Sequence, residues 1–522
     1  MKRLILLLFS IVTCSHLMCG DYAWTPPEII SGAMANASDP QIAMDSQGNM
    51  AAAWIEDGVV YTSYRPFEGA WETAAALSAS TASSPRLALD ESGNATLVWE
   101  RNGIIYTADR PAMGNWSGAS ALSGSGASNP ALAVNSGGDA VAVWERNGFI
   151  ESKSKGFLGL WSLVSAMLSG ANATDPDVAI SANQKAIAVW KTSSLGVDTI
   201  RSATSLIGGA WNAPVTLSTS STDLLSHPKV AIDASGNATA IWFQASLINQ
   251  TYSNVNTMSA GLAANTSAWT NFQTLTNSPG KRNPDDLVNR IAVDVYGNAF
   301  AFWSRSEDGN TYTYEGALKP IGGSFSSENP IILSNQHAYA ASVTINSLGE
   351  VLAAFMVDEG SAAGIQSAGC NINGLKEVFW FDLMNISQGG SNGYPSVASA
   401  LIGNTLNAGA AWIHFDGMNN VIQTSVGTKQ ALAPPTLLSV QQEIDASGIF
   451  TSYHNTISWV PSASPDILQY LIFKNGIFLK AVDGTATEAV ESNVTENGAV
   501  TYGVVAADIE FAQSPMAIVQ FP

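Results

Sequence analysis

The sequence predicts an all-β chain, a β-propeller of eight four-stranded blades, with seven as the alternative count, followed by a β-sandwich. Three observations carry this. The stretch "DPQIAMDSQGNMAAAWIEDG" at 39–58 returns as "SPRLALDESGNATLVWERNG" at 84–103 and "NPALAVNSGGDAVAVWERNG" at 129–148. Its anchor aromatic recurs at Trp54, Trp99, Trp144, Trp190, Trp242, Trp303, Phe355 and Trp412, at spacings of 45, 45, 46, 52, 61, 52 and 57 residues. Beyond about residue 431 the period stops and a different alternating pattern begins. A fixed period of about 40–50 residues with four strands per unit builds one ring, because a single unit cannot bury both of its faces alone.

Each unit reads P-x-h-A-h-D-x-x-G-N-A-x-A-x-W. The Pro at 40, 85, 130, 176, 228 and 395 opens the first strand, where a missing N–H is tolerated. Small residues such as Ala43, Ala88 and Ala133 suit a crowded axis. Asp45/Gly48/Asn49, Asp90/Gly93/Asn94, Asp233/Gly236/Asn237 and Asp294/Gly297/Asn298 supply a turn-capping carboxylate and a residue for the left-handed position. Apolar alternation on both sides, as in "QIAMD" and "NATLVW", has the period of two that marks strands. Asn102-Gly103 signals the hairpin into a third strand, and an aromatic followed by Leu-Ser, as in Trp71/Leu77 and Trp116/Leu122, marks the fourth. Large aromatics between adjacent sheets make the repeated Trp a packing residue rather than a sugar platform. Residues 24–31, "WTPPEIIS", form a fourth strand with no preceding three, and the last unit, about 395–427, has three strands and no fourth. The two chain ends are therefore expected to share one blade.

Charge narrows the partners. With 22 Lys plus Arg against 42 Asp plus Glu, the net charge of −20 repels phosphate backbones, and nucleic acid is excluded as a partner. Residues 1–20 combine Met1-Lys2-Arg3, the apolar run Leu4–Val12 and a small polar exit, the pattern of a secretory signal. The run falls short of the ~18 apolar residues of a membrane span, and no later segment reaches that length. Export, to the cell envelope or outside the cell, is the expectation, and Cys14 and Cys19 leave a lipid anchor open. Only Cys370 follows, so the mature chain has no internal disulfide to form, and Cys370 is expected to be a buried apolar residue.

The repeat resembles bacterial propellers of the NHL-like and streptogramin-lyase-like groups over residues 24 to about 430, a likeness that implies architecture rather than activity. WD40 repeats match less well, since no Gly-His or Trp-Asp pair recurs, and Asp45 lies nine residues before Trp54, unlike the S-x-D-x-G-x-T-W box of sialidases. Residues 432–522 resemble a fibronectin type III domain: Pro434-Pro435 at entry, Trp459 in "TISWVP", Tyr470 in "YLIFKNG", Tyr502 before "GVVAADIE", and Ser514-Pro515 at the closing turn. The resemblance implies a spacer or docking role. The domains are thus 1–20, 21–431 and 432–522.

Chemical motifs are sparse. His227, His337, His414 and His454 are scattered with no H-x-x-x-H pair, so no metal and no cofactor is expected. Glu307, Asp308 and Asn310 in "RSEDGNTYTYE" read as a solvated hairpin tip rather than a cation site. Glu100 and Glu145 in the repeated "WERNG" hairpin have the makings of a glycosidase carboxylate pair, but Arg101 and Arg146 follow them and are expected to neutralise them. The stronger signal is variation at one equivalent position. Directly after the strand-opening residue stand Gln41, Arg86, Ala131, Asp177, Lys229, Arg290, Ser342 and Ser396. These are expected to ring one mouth of the axial channel, with a positive accent from Arg86, Lys229 and Arg290. The sequence therefore points to a non-catalytic binding module for a protein or glycan ligand of anionic character. A glycan-acting hydrolase or lyase using the same mouth is the alternative.

Overall fold

The computed structural model describes residues 22–521 except 35, 158, 249–250, 277–279, 283–288, 307–311, 321–322, 326–330, 333–336, 359–362, 372–383, 446–451, 476, 495–498 and 509–512. Residues 1–20, with Cys14 and Cys19, and Glu307, Asp308 and Asn310, lie outside the described residues.

All regular structure among the described residues is β, in ten antiparallel sheets. Eight of them fall within residues 23–430 and are called blades here: 37–76, 82–121, 127–167, 173–220, 223–282, 289–332, 338–385, and 391–430 joined by 23–29. The first seven run inner strand to outer strand in chain order, and the eighth takes its outer strands from 23–29. The inner strand of every blade packs beside the inner strand of the next, and that of blade 8 (Ser391–Ile402) packs beside that of blade 1 (Ala37–Met44). The ring is closed by the chain ends, because Ala23–Trp24 and Glu28–Ile29 both pair with Asn420–Gln430.

Three sequence devices account for the blade. The first is the turn, where Asp45 Oδ1 accepts the Gln47 and Asn49 amides, each at 2.9 Å, and Oδ2 accepts Asn49 Nδ2 at 2.7 Å. Asn49 Oδ1 in turn accepts the Phe67 amide at 3.0 Å, so the Asn ties the first hairpin to the turn after the third strand. Asp90–Asn94 and Ala112 repeat the arrangement. The turn glycine answers two demands. Gly93 has φ +86°, and a Cβ there would lie 2.7 Å from Asp45 Oδ2 of the preceding blade. Gly93→Ala is therefore expected to cost more than about 1 kcal/mol, read as a lower urea midpoint at unchanged slope.

The second device is the Leu-Ser pair. Leu77 N donates to Val60 O at 2.8 Å while Val60 N donates to Ser78 Oγ at 2.8 Å, so a hydroxyl continues the ladder where the fourth strand ends. Ile105 with Leu122-Ser123 and Ile150 with Leu168-Ser169 repeat it. In the shared blade Ile30-Ser31 serves Ile422 in the same way. The third device is the anchor aromatic: Trp54, Trp99, Trp144, Trp190, Trp303, Phe355 and Trp412 have no exposed surface and Trp242 has 2%, which leaves none of them available as a sugar platform.

Residues 436–521 form a sandwich of two sheets, one holding the first, second and fifth strands and the other the third, fourth, sixth and seventh. Trp459, Tyr470 and Tyr502 lie in one buried cluster.

Candidate functional site

Register makes the eight variable positions equivalent. Gln41, Arg86, Ala131, Asp177, Lys229, Arg290, Ser342 and Ser396 each pair with the residue immediately before the anchor aromatic of their own blade. Each inner strand is the edge of its sheet and has no partner strand on the channel side. Side chains at this level fill part of that gap. Ser396 Oγ accepts Ile42 N of blade 1 at 3.1 Å, Ser342 Oγ accepts Val397 N at 3.2 Å, and Asp177 Oδ2 accepts Val230 N at 2.9 Å. Each bond runs from one blade to the next, so the polar ring also fastens neighbouring blades. Arg86, Lys229, Arg290 and Ala131 have no acceptor atom to play this part.

The expectation of a ring around one mouth needs adjusting in depth. In Ala37–Met44 and Ala82–Leu89 the ring residue is the fifth of eight, four residues before the turn Asp, so it lines the channel wall below the rim. The rim comes from a β-bulge two residues earlier. Asp39, Ser84, Asn129, Asp175, His227, Ala340 and Tyr394 all have φ between 46° and 54°. Sequence reasoning followed the residue after each Pro and passed over the one before it.

Electrostatically, the ring converges. Lys229 Nζ lies 3.6 Å from Asp177 Oδ1. Arg86 and Arg290 belong to blades 2 and 6, opposite one another in the ring, and yet Arg86 feels the charge of Arg290: burial lowers the Arg86 pKa and the Arg290 charge lowers it further. Burial likewise lowers Lys229 and Arg290, Asp177 opposing the shift in both. Arg86 and Arg290 are exposed to solvent, and their Nη1 atoms donate to their own strands at Pro85 O (2.8 Å) and Asn289 O (3.1 Å). Gln41 Nε2 does the same to Pro40 O at 3.0 Å. Three cations thus face one ring carboxylate, Asp177. Above them, burial pushes His227 below its usual pKa, Asp175 opposing and Lys229, Arg290 and Lys191 adding to the shift.

The "WERNG" residues do something else than expected. Arg146 donates to Glu151 Oε1 at 2.9 Å and to Ser125 O at 3.0 Å, and Arg101 donates to Ser80 O at 3.3 Å; neither Arg pairs with the Glu before it. Successive strand residues point to opposite faces, which separates Glu145 from Arg146. Glu145 instead accepts Asn129 Nδ2 and Asp175 N, both at 2.9 Å, clamping blade 3 to blade 4. Glu100 has its pKa raised by burial, with the Gly103 amide opposing. The two carboxylates serve separate blades, and Glu145 is committed to holding the rim.

At the other end of the channel the turns enclose a basin of about 590 Å³ lined by Asp45, Asp90, Asn135, Ser181, Asp233 and Asp294. Its aspartates are spent on turn amides, as described for Asp45, and Glu91 lines it as well. Among the described residues no three His, Cys, Asp or Glu side chains group as a metal site, and no helix is long and apolar enough to cross a membrane.

No family model matches the chain, and no curated protein does. Among solved structures it is similar to the Dos1 propeller, at TM-score 0.44 and 10% identity over 78% of this chain and 95% of that one. An ulvan lyase structure gives TM-score 0.42 and 10% identity over 75% and 94%. The GH43 protein BlXynB mutant from Bacillus licheniformis gives TM-score 0.27 and 9% identity over 77% and 98%. Such values assign neither a family nor an activity.

Proposed function

We propose that this chain is an exported binding protein that holds an anionic ligand in the channel beneath its bulged rim. The carrying observation is that Arg86, Lys229 and Arg290 come from three blades to one level of the ring, with Asp177 the single carboxylate at that level. A concavity walled by protein focuses such a field and limits its screening. The test is the triple replacement of Arg86, Lys229 and Arg290 by Ser. Folding should survive, since polar strand residues of this kind contribute about half a kcal/mol each. Sulfate binding, measured by calorimetry, should disappear together with its salt dependence. Unchanged sulfate affinity in the triple variant would refute the reading.

A glycan-acting enzyme is the second reading, and one observation favours it: His227 stands two residues before Lys229 on the same strand, its carbonyl accepts Asn289 Nδ2 next to Arg290 at 3.2 Å, and an imidazole whose pKa burial lowers is the kind of base that proton abstraction near an acid group requires. His227→Gln should then retain ligand and stop turnover. If the parent releases no product from any acidic glycan, the enzymatic reading fails while the binding one stands.

The C-terminal sandwich is read as a fibronectin type III-like spacer or docking domain of residues 432–522, a reading supported by its division of strands between two sheets and by the hydrogen bond from Asn455 Nδ2 to Tyr502 Oη at 2.8 Å. Produced alone, it should fold, having its own core. Collapsed amide dispersion in its NMR spectrum would contradict this.

A further inference from the structure

We infer that the ligand is an acidic saccharide, a sugar carrying a carboxylate or sulfate, whose ring stacks on Tyr394 while its acid group meets Arg86 and Arg290. This rests on the anion-binding reading above and narrows it.

Tyr394 occupies the bulge position of blade 8, which Asp39, Ser84, Asn129, Asp175 and His227 occupy elsewhere. The bulge imposes a left-handed backbone, with φ 49° at Tyr394. Asn, Asp and His accept that conformation readily, and a bulky aromatic does not. The residue that fits the backbone least is also left in solvent, since Tyr394 is 66% exposed while the anchor aromatics of all eight blades are buried. Its blade stands two places from that of Arg290 on one side and two from that of Arg86 on the other. A flat ring at the rim with cations one layer below matches a molecule with an apolar face and an acid group.

The rest of the lining separates a saccharide from a plain polyanion. Asp39 and Asp175 sit at the rim close enough to Arg86 and Lys229 to influence them. Carboxylates there repel a dense polyanion, whereas they accept hydrogen bonds from sugar hydroxyls. Ser342 and Ser396 each spend an acceptor on a neighbouring blade's N–H and so keep the O–H proton to donate. Donors, acceptors, cations and one exposed aromatic are together what a polyol with a single charge per ring requires.

Calorimetry on the full chain tests this with uronate and sulfated tetrasaccharides, neutral tetrasaccharides and inorganic phosphate, against the parent, Tyr394→Ala, Tyr394→Phe and Arg290→Ser. At least one acidic tetrasaccharide should bind, more tightly than every neutral one. Tyr394→Ala should weaken it about tenfold, Tyr394→Phe by less than about twofold, as expected for loss of a stacking face alone. Arg290→Ser should weaken both the saccharide and phosphate, while Tyr394→Ala leaves phosphate unchanged. Phosphate binding with no saccharide binding, or saccharide binding indifferent to Tyr394→Ala, overturns the inference and leaves the anion reading intact. Failure of phosphate and all saccharides to bind overturns both.

Discussion

Removing residues 21–32 should unfold the ring at a far lower temperature than the parent, by more than the loss of a surface strand implies. The deletion takes away both short strands that complete blade 8 and the Ile30-Ser31 continuation on Ile422. It also takes away Tyr22, which is 4% exposed and packs with Leu352, Val397 and Leu406 across blades 7 and 8. That interface carries the ion pair of Lys429 and Glu350 at 3.3 Å, with 1% and 2% of their side-chain surfaces exposed. Burial raises the Glu350 pKa, and Lys429 opposes the shift. Opening the blade edge admits water to a pair that tolerates burial only while its geometry holds. Losing one large buried aromatic alone costs about 3–5 kcal/mol, and the deletion adds an exposed sheet edge. Thermal unfolding followed by near-ultraviolet circular dichroism checks this, and a truncated chain that melts with the parent would contradict closure by the chain ends.

Replacing an anchor Trp should have the next largest effect. Trp99→Ala is expected to destabilise by about 3–5 kcal/mol, because the indole is fully buried and its ring stacks on Tyr106 at 6.0 Å between centroids. The Phe variants should separate two kinds of anchor. Trp54 donates its indole N–H to Glu56 Oε2 at 3.0 Å, while the Trp99 indole nitrogen has no hydrogen-bond partner among the described residues. Trp54→Phe should therefore cost about 1–3 kcal/mol more than Trp99→Phe, since it strips a partner from a buried carboxylate. Urea midpoints for the three variants measure the difference; equal costs for the two Phe variants would contradict the assignment.

Much of this architecture was legible because the chain repeats its own instructions. One D-x-x-G-N turn suggests a hairpin, and the same turn beside equally spaced Trp residues leaves few folds that bury every anchor. The orphan "WTPPEIIS" strand pointed to closure before any pairing was known. The site was legible in part. Aligning the units placed Arg86, Lys229 and Arg290 at one level, since register is shared by every blade. Reading Glu145 with Arg146 as a neutral pair failed because sequence neighbours on a strand face opposite ways. The rim residues Asp175, His227 and Tyr394 were overlooked because a bulge is invisible in an alternating pattern; its only trace is the extra residue just before each Pro. The aspartates of the repeated D-x-x-G-N segment were legible as turn caps, and Asp45, Asp90, Asp233 and Asp294 take that part around the basin at the opposite mouth.

Whether the three cations form one anion site is tested most directly by anomalous diffraction from crystals of the full chain soaked in selenate. A selenium peak is expected in the channel within hydrogen-bonding reach of Arg290 and Arg86, and it should be lost in the triple Ser variant. Selenate found only on the outer surface, with the ring unoccupied, would contradict it.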